Sequence, residues 1–173
     1  LPGVKRRIYF IAKSFIVGFP QLPRDELGRS TSAVLVGDFV LMADATWKYI
    51  DILPDKSQLT SEAQGELPSQ TQLNKLVAVH PGVGQDASAA AAYINNTDNV
   101  FIVEDMKGNY RVLGNDKWTT KATVAQDLGQ GATGTTSTTI NVEATDEVPA
   151  PFYVGKLDTE DGEIDCATGD TQP

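Results

Sequence analysis

Asn99-Val-Phe-Ile-Val-Glu-Asp-Met-Lys-Gly-Asn-Tyr-Arg-Val-Leu-Gly114 is the stretch that decides the class of fold. Two runs of β-favouring residues flank Met106-Lys107-Gly108-Asn109, and a short polar link with glycine between such runs reads as a β-hairpin. Side chains alternate across a strand, so Val100, Ile102 and Glu104 share one face while Phe101 and Val103 share the other. Both faces are therefore apolar near the base. A strand of that kind must be covered on both sides, and the expected covers are a helix on one and an opposing sheet on the other. The tip, with Glu104, Asp105, Lys107 and Arg111, is expected to face solvent.

The only clear helix signal lies just upstream, at residues 86 to 95, where an alanine run has Asp86 or Ser88 as candidate cap and Asn95-Asn96 as exit. Before it, residues 74 to 79 read as a strand closed by the turn His80-Pro81-Gly82-Val83-Gly84. Residues 54 to 72 are rich in Ser, Gln, Thr and Glu and have too little apolar surface to fold on themselves. They read as a long polar loop, an arm that orders on a neighbouring molecule. Residues 4 to 12, 33 to 42 and 47 to 53 supply three earlier strands, and Phe19-Pro20-Gln21-Leu22-Pro23 is an extended connection because proline removes a ladder donor.

Downstream, residues 118 to 127 and 138 to 145 alternate like strands around the glycine-rich stretch 128 to 137. That stretch lacks the lysine a phosphate loop requires, with Thr135-Thr136-Ser137 in its place. Residues 149 to 155 lead into a last short strand. The fold class expected is mainly β, a β-sandwich or barrel with one short flanking α-helix at 86–95 and long loops. Its organisation is a single β-rich domain over 1–156 and an acidic C-terminal tail over 157–173, mobile at its end.

Composition narrows function by exclusion. The 173 residues are 40% hydrophobic and 21% charged, and no run nears the roughly 18 to 20 apolar residues that cross a bilayer, so no membrane span is expected. The opening basic residues superficially suggest a signal peptide, but Lys13 and Ser14 interrupt the apolar run and no small-residue cleavage site follows. A lone cysteine, Cys166, excludes an intramolecular disulfide and a cysteine metal cluster, and points to a reducing compartment.

The lone histidine, His80, reads as a turn residue, since no second histidine or nucleophile elbow accompanies it. The acidic stretch 158 to 165 lacks the ligand spacing of a calcium loop. Trp47, Trp118 and five tyrosines could line a sugar platform, but aromatics on half-buried strands more often anchor cores or interfaces. Nucleic-acid recognition would need a basic surface, and the net charge is -9. Neither enzymatic activity nor a cofactor is expected.

That charge is unevenly placed. Residues 1 to 30 carry Lys5, Arg6, Arg7, Lys13, Arg24 and Arg29 against Asp25 and Glu26, whereas residues 143 to 173 carry nine carboxylates against Lys156 alone. Opposite fields of this kind steer association. The candidate inter-subunit contacts are Lys5, Arg6 and Arg7 on one copy and Glu143, Asp146 and Glu147 on the next.

The order of elements, the hairpin at 99 to 114, the Gly/Thr loop at 129 to 139 and the ending Pro151-Phe-Tyr-Val-Gly155 together resemble the major tail tube proteins of long-tailed bacteriophages. The resemblance covers roughly the second half of the chain. It implies a structural virion subunit, made in the host cytoplasm and self-assembling into hexameric rings. These stack as a tail tube that meets other tail proteins and lets DNA pass its lumen without specific binding. Alternatives are a carbohydrate- or surface-binding β-sandwich module, another phage head or tail structural protein, and a small hydrolase using acidic residues.

Overall fold

The computed structural model describes residues 2–172. In chain order the elements are β1 (Val4–Ala12), β2 (Ile16–Gly18), β3 (Val34–Leu35), β4 (Val40–Leu41), β5 (Lys48–Asp51), β6 (Gln58–Gln64), β7 (Thr71–Pro81) and α1 (Gln85–Asn95). Then come β8 (Asn99–Asp105), β9 (Tyr110–Leu113), β10 (Lys121–Asp127), β11 (Ser137–Asp146), β12 (Phe152–Tyr153), β13 (Lys156–Thr159), β14 (Gly162–Asp165) and β15 (Thr171–Gln172). The fold is mainly β with one short helix, and its sheets stay open, so the architecture is sandwich-like and no barrel closes.

A six-stranded sheet runs β3-β12-β9-β8-β1-β5, and a four-stranded antiparallel sheet runs β10-β11-β7-β6. Smaller sheets join β13-β14-β15 and β2-β4. The hairpin forms as expected: β8 pairs β9 antiparallel with Phe101 opposite Leu113 and Glu104 opposite Tyr110. Its turn needs Gly108 at φ 92°, and Asp105 organises it by accepting from the amides of Lys107 and Asn109, each at 3.0 Å.

Strands β1 and β8 divide the interior into two cores, because alternate residues leave opposite faces of the sheet. Ile8, Phe10, Phe101 and Val103 point to one core, where they meet Leu76, Ile140 and Val142 of the four-stranded sheet and Ala87 and Ile94 of α1. Tyr9, Ile11, Val100 and Ile102 point to the other, filled by Phe39, Trp47, Tyr153, Leu157, Ile164 and Cys166. Both faces of the hairpin are covered, but differently from the expectation. Helix and opposing sheet lie on one side, and the C-terminal strands with residues 16 to 47 cover the other.

Several expectations are corrected. Residues 54 to 72 are not a long loop: β6 pairs with β7 along its whole length, from Gln58 opposite Val77 to Gln64 opposite Thr71. A polar segment without a core of its own becomes a strand when a neighbour supplies the ladder hydrogen bonds, and an edge strand needs only one half-buried face, here Leu59. Only residues 65 to 70 remain as the hairpin tip, where Leu67 is 84% exposed.

The acidic tail is likewise ordered through residue 172, because Leu157, Ile164 and Cys166 are buried in the second core while the carboxylates between them face outward. Finally, the tip of the 99–114 hairpin is less solvated than expected. The guanidinium of Arg111 stacks 4.1 Å over Phe152, and the carboxylate of Glu104 pairs with Lys5.

The apolar run 33 to 42 also breaks into two short strands around Gly37, which has φ 100°. The helix starts from Gly84 with no side-chain cap, and Ser88 spends its hydroxyl on Gln126 instead.

Candidate functional site

The residues expected to meet across subunits are engaged largely within this one. Lys5 pairs with Glu104. Arg7 donates to Asp51, Nε to Oδ1 at 2.7 Å and Nη2 to Oδ2 at 3.4 Å, with its guanidinium 4.0 Å over the Tyr49 ring. Arg6 is exposed, and among the described residues it has no ion-pair partner. The basic cluster thus belongs to the six-stranded sheet, with Arg6 alone facing solvent unpaired.

The three carboxylates have three different environments on or beside β11. Glu143 is exposed on the outer face of the four-stranded sheet, where register places it between Lys121 of β10 and Lys75 of β7. Asp146 is buried, and burial pushes its carboxyl above the usual range against the opposing hydrogen bonds from the Glu147 amide and the Asn115 side chain. Glu147 accepts from Arg24 Nη2 at 2.7 Å and Lys117 Nζ at 2.9 Å, and the Ser30 hydroxyl donates to its other oxygen. Partial burial would raise that carboxyl, but hydrogen bonds from Arg24, Ser30 and Lys117 outweigh it and hold the pKa down at about 2.

Glu147 is therefore an internal clamp. It ties the connection at residues 24 to 30 and the one at residue 117 to the end of β11. Sequence separations of 123, 117 and 30 residues hid that clamp from any local reading. His80 is not in a turn: β7 runs on through Pro81, so His80 is a strand residue opposite Thr138, its Nδ1 lying 2.6 Å from the carbonyl oxygen of Asp51. The Cys166 thiol is buried, and burial pushes its pKa up. Trp47 is fully buried, as expected of a core anchor, which leaves Trp118 as the more exposed of the two tryptophans.

The four-stranded sheet carries a feature that sequence reading missed. Its ladders β6-β7, β7-β11 and β11-β10 run without a register shift, and its two outer strands are each seven residues long with neither proline nor bulge. Edges are usually blunted by such devices or by a covering helix or loop, because an unpaired row of N–H and C=O groups invites another strand; here the end of α1 lies beside β10, and β6 has no such cover among the described residues. The outward rows are polar and nearly balanced in charge: Lys121-Glu143-Lys75-Thr60 and Thr123-Asn141-Val77-Gln58. The inward rows, with Leu59, Leu76, Ala122, Val124, Ile140 and Val142, build the first core.

A second unpartnered surface lies on the β2–β4 ribbon, where Phe15, Val17, Val40 and Met42 are 42%, 69%, 54% and 50% exposed. Among the described residues no helix is long and apolar enough to cross a membrane. Comparison with protein-family models, with curated proteins and with solved structures found no match to this chain.

Proposed function

We propose that this chain is a structural subunit that associates edge to edge with copies of itself into rings, and that the rings stack as a tube of the phage tail type. The observation that carries this reading is the open β10-β11-β7-β6 sheet, whose outer strands are both long and bulge-free and whose β6 edge carries no side-chain cover among the described residues. Every neighbouring pair in it is antiparallel, so β6 and β10 run in opposite directions. When β10 of one copy meets β6 of the next in a ring, the seam continues the antiparallel pattern, and closure removes both edges of this sheet. Six copies would supply about 24 strands, more than the 16 to 18 that already leave an aqueous channel in a barrel.

The face left over for the lumen is the outward one. With Lys75 and Lys121 against Glu62, Glu143 and Asp127 amid Thr and Asn, it offers duplex DNA no row of cations. That suits passage without binding. A sugar-binding sandwich would need a shared aromatic platform, which buried Trp47 cannot join. Electron microscopy of the purified chain at high concentration tests the reading. Rings or tubes are expected, and a monomer at every concentration by sedimentation would overturn it.

A further inference from the structure

The two outer edges of the four-stranded sheet are not equivalent. In an antiparallel pair alternate amides face the partner strand and the rest face away. On the side of β10 away from β11, the Val124 amide donates to Asn95 Oδ1 at 2.9 Å. Four residues earlier, just before the strand, the Thr120 amide donates to Asp98 Oδ1 at 3.0 Å. Both acceptors come from the end of α1 and its exit, so side chains cover alternate donors of this edge. Ser88, two turns back on the same helix, reaches Gln126. Among the described residues no side chain accepts from an amide of β6. One edge is covered and the other is open.

Asn95 is exposed and the last residue of α1, so its amide can swing away without disturbing the core. Resting on the self-association reading above, we propose that Asn95 is a latch on the β10 edge. It holds the Val124 amide in the lone subunit and gives way when β6 of a second copy pairs there. The partner is thus a second copy of this chain, and the latch sets the concentration at which pairing begins. It also opposes premature pairing of a long flat edge during synthesis.

Asn95→Ala removes the acceptor, and Asn95→Asp keeps it with a charge that strengthens the bond. Two measurements on the full chain decide the matter: hydrogen exchange at the Val124 amide in dilute protein, and the threshold concentration for assembly by sedimentation. In Asn95→Ala the Val124 amide should exchange about tenfold faster, and the threshold should fall about fivefold, the change expected for one net hydrogen bond. The melting temperature should move by less than about 2 °C. Asn95→Asp should raise the threshold. Unchanged Val124 exchange in Asn95→Ala, or a threshold that ignores residue 95 while the wild type assembles, overturns the latch alone. If wild type and Asn95→Ala both stay monomeric at all concentrations, self-association itself falls, and the latch with it.

Discussion

Phe10 and Phe101 stand opposite each other on β1 and β8, Cα partners in antiparallel register with ring centroids 6.2 Å apart and both side chains buried. The pair forms the floor of the first core, where the four-stranded sheet and α1 close over it. Truncating Phe101 to Ala removes ring contacts that nothing nearby can replace. The loss should be about 3 to 5 kcal/mol in a denaturant titration of the unassembled subunit. Lys107→Ala, at the exposed hairpin turn, should change stability by under about 0.5 kcal/mol.

Asn74 is a second strong point. Wholly buried, its Oδ1 accepts from the Ala150 amide at 3.0 Å and from the Ser61 hydroxyl at 2.6 Å, joining β6, β7 and the link before β12. Asn74→Ala strands the Ala150 amide and should cost about 2 to 3 kcal/mol in the same titration. Loss below about 0.5 kcal/mol would show that water or a neighbouring group replaces the amide.

The Glu147 clamp predicts an acid limb. Its pKa is lowered to about 2 in the folded chain, so its contribution is present above the ordinary carboxylate value of 4.5 and is lost as pH falls toward 2. Asp146 beside it works the other way. Its raised pKa favours the protonated form, so its share of stability declines as pH rises through that pKa. Glu147→Gln should lower stability at neutral pH by about 1 to 2 kcal/mol after solvent screening of the exposed cations, and should flatten stability between roughly pH 4.5 and 2. An unaltered slope there would show that the clamp contributes nothing.

Salt separates the two accounts of assembly. The sequence suggests opposite charges meeting across subunits, whereas Lys5, Arg7 and Glu147 are already paired at home. Assembly through backbone pairing of edges should shift its threshold by less than about threefold between ~0.05 and ~0.5 M salt. A shift of about a hundredfold would restore the intermolecular charge set.

Legibility tracked how local the physics was. Strand β1, helix α1 and the β8–β9 hairpin declare themselves through period and turn chemistry inside a window of about 16 residues. Strand β6 does not, because its strand character resides in β7, and Gln58-Leu-Thr-Ser-Glu-Ala-Gln64 offers one large apolar residue. The C-terminal strands were hidden for a related reason. Leu157, Ile164 and Cys166 are few among carboxylates, and residues distant in sequence, Tyr9, Phe39, Trp47 and Ile102 among them, make them part of a core. As for the candidate contacts, residue type marked Glu143, Asp146 and Glu147 as acidic. What each one faces depends on register and on loops from elsewhere in the chain.

The wall formed by β1 and β8 has a consequence for how the molecule comes apart. Each core needs that wall as one of its surfaces, so neither can be opened while the other stays dry. Two cores that would otherwise melt in sequence are thereby bound into one cooperative unit, and a single sharp transition is expected from probes as far apart as Trp47 and Tyr93.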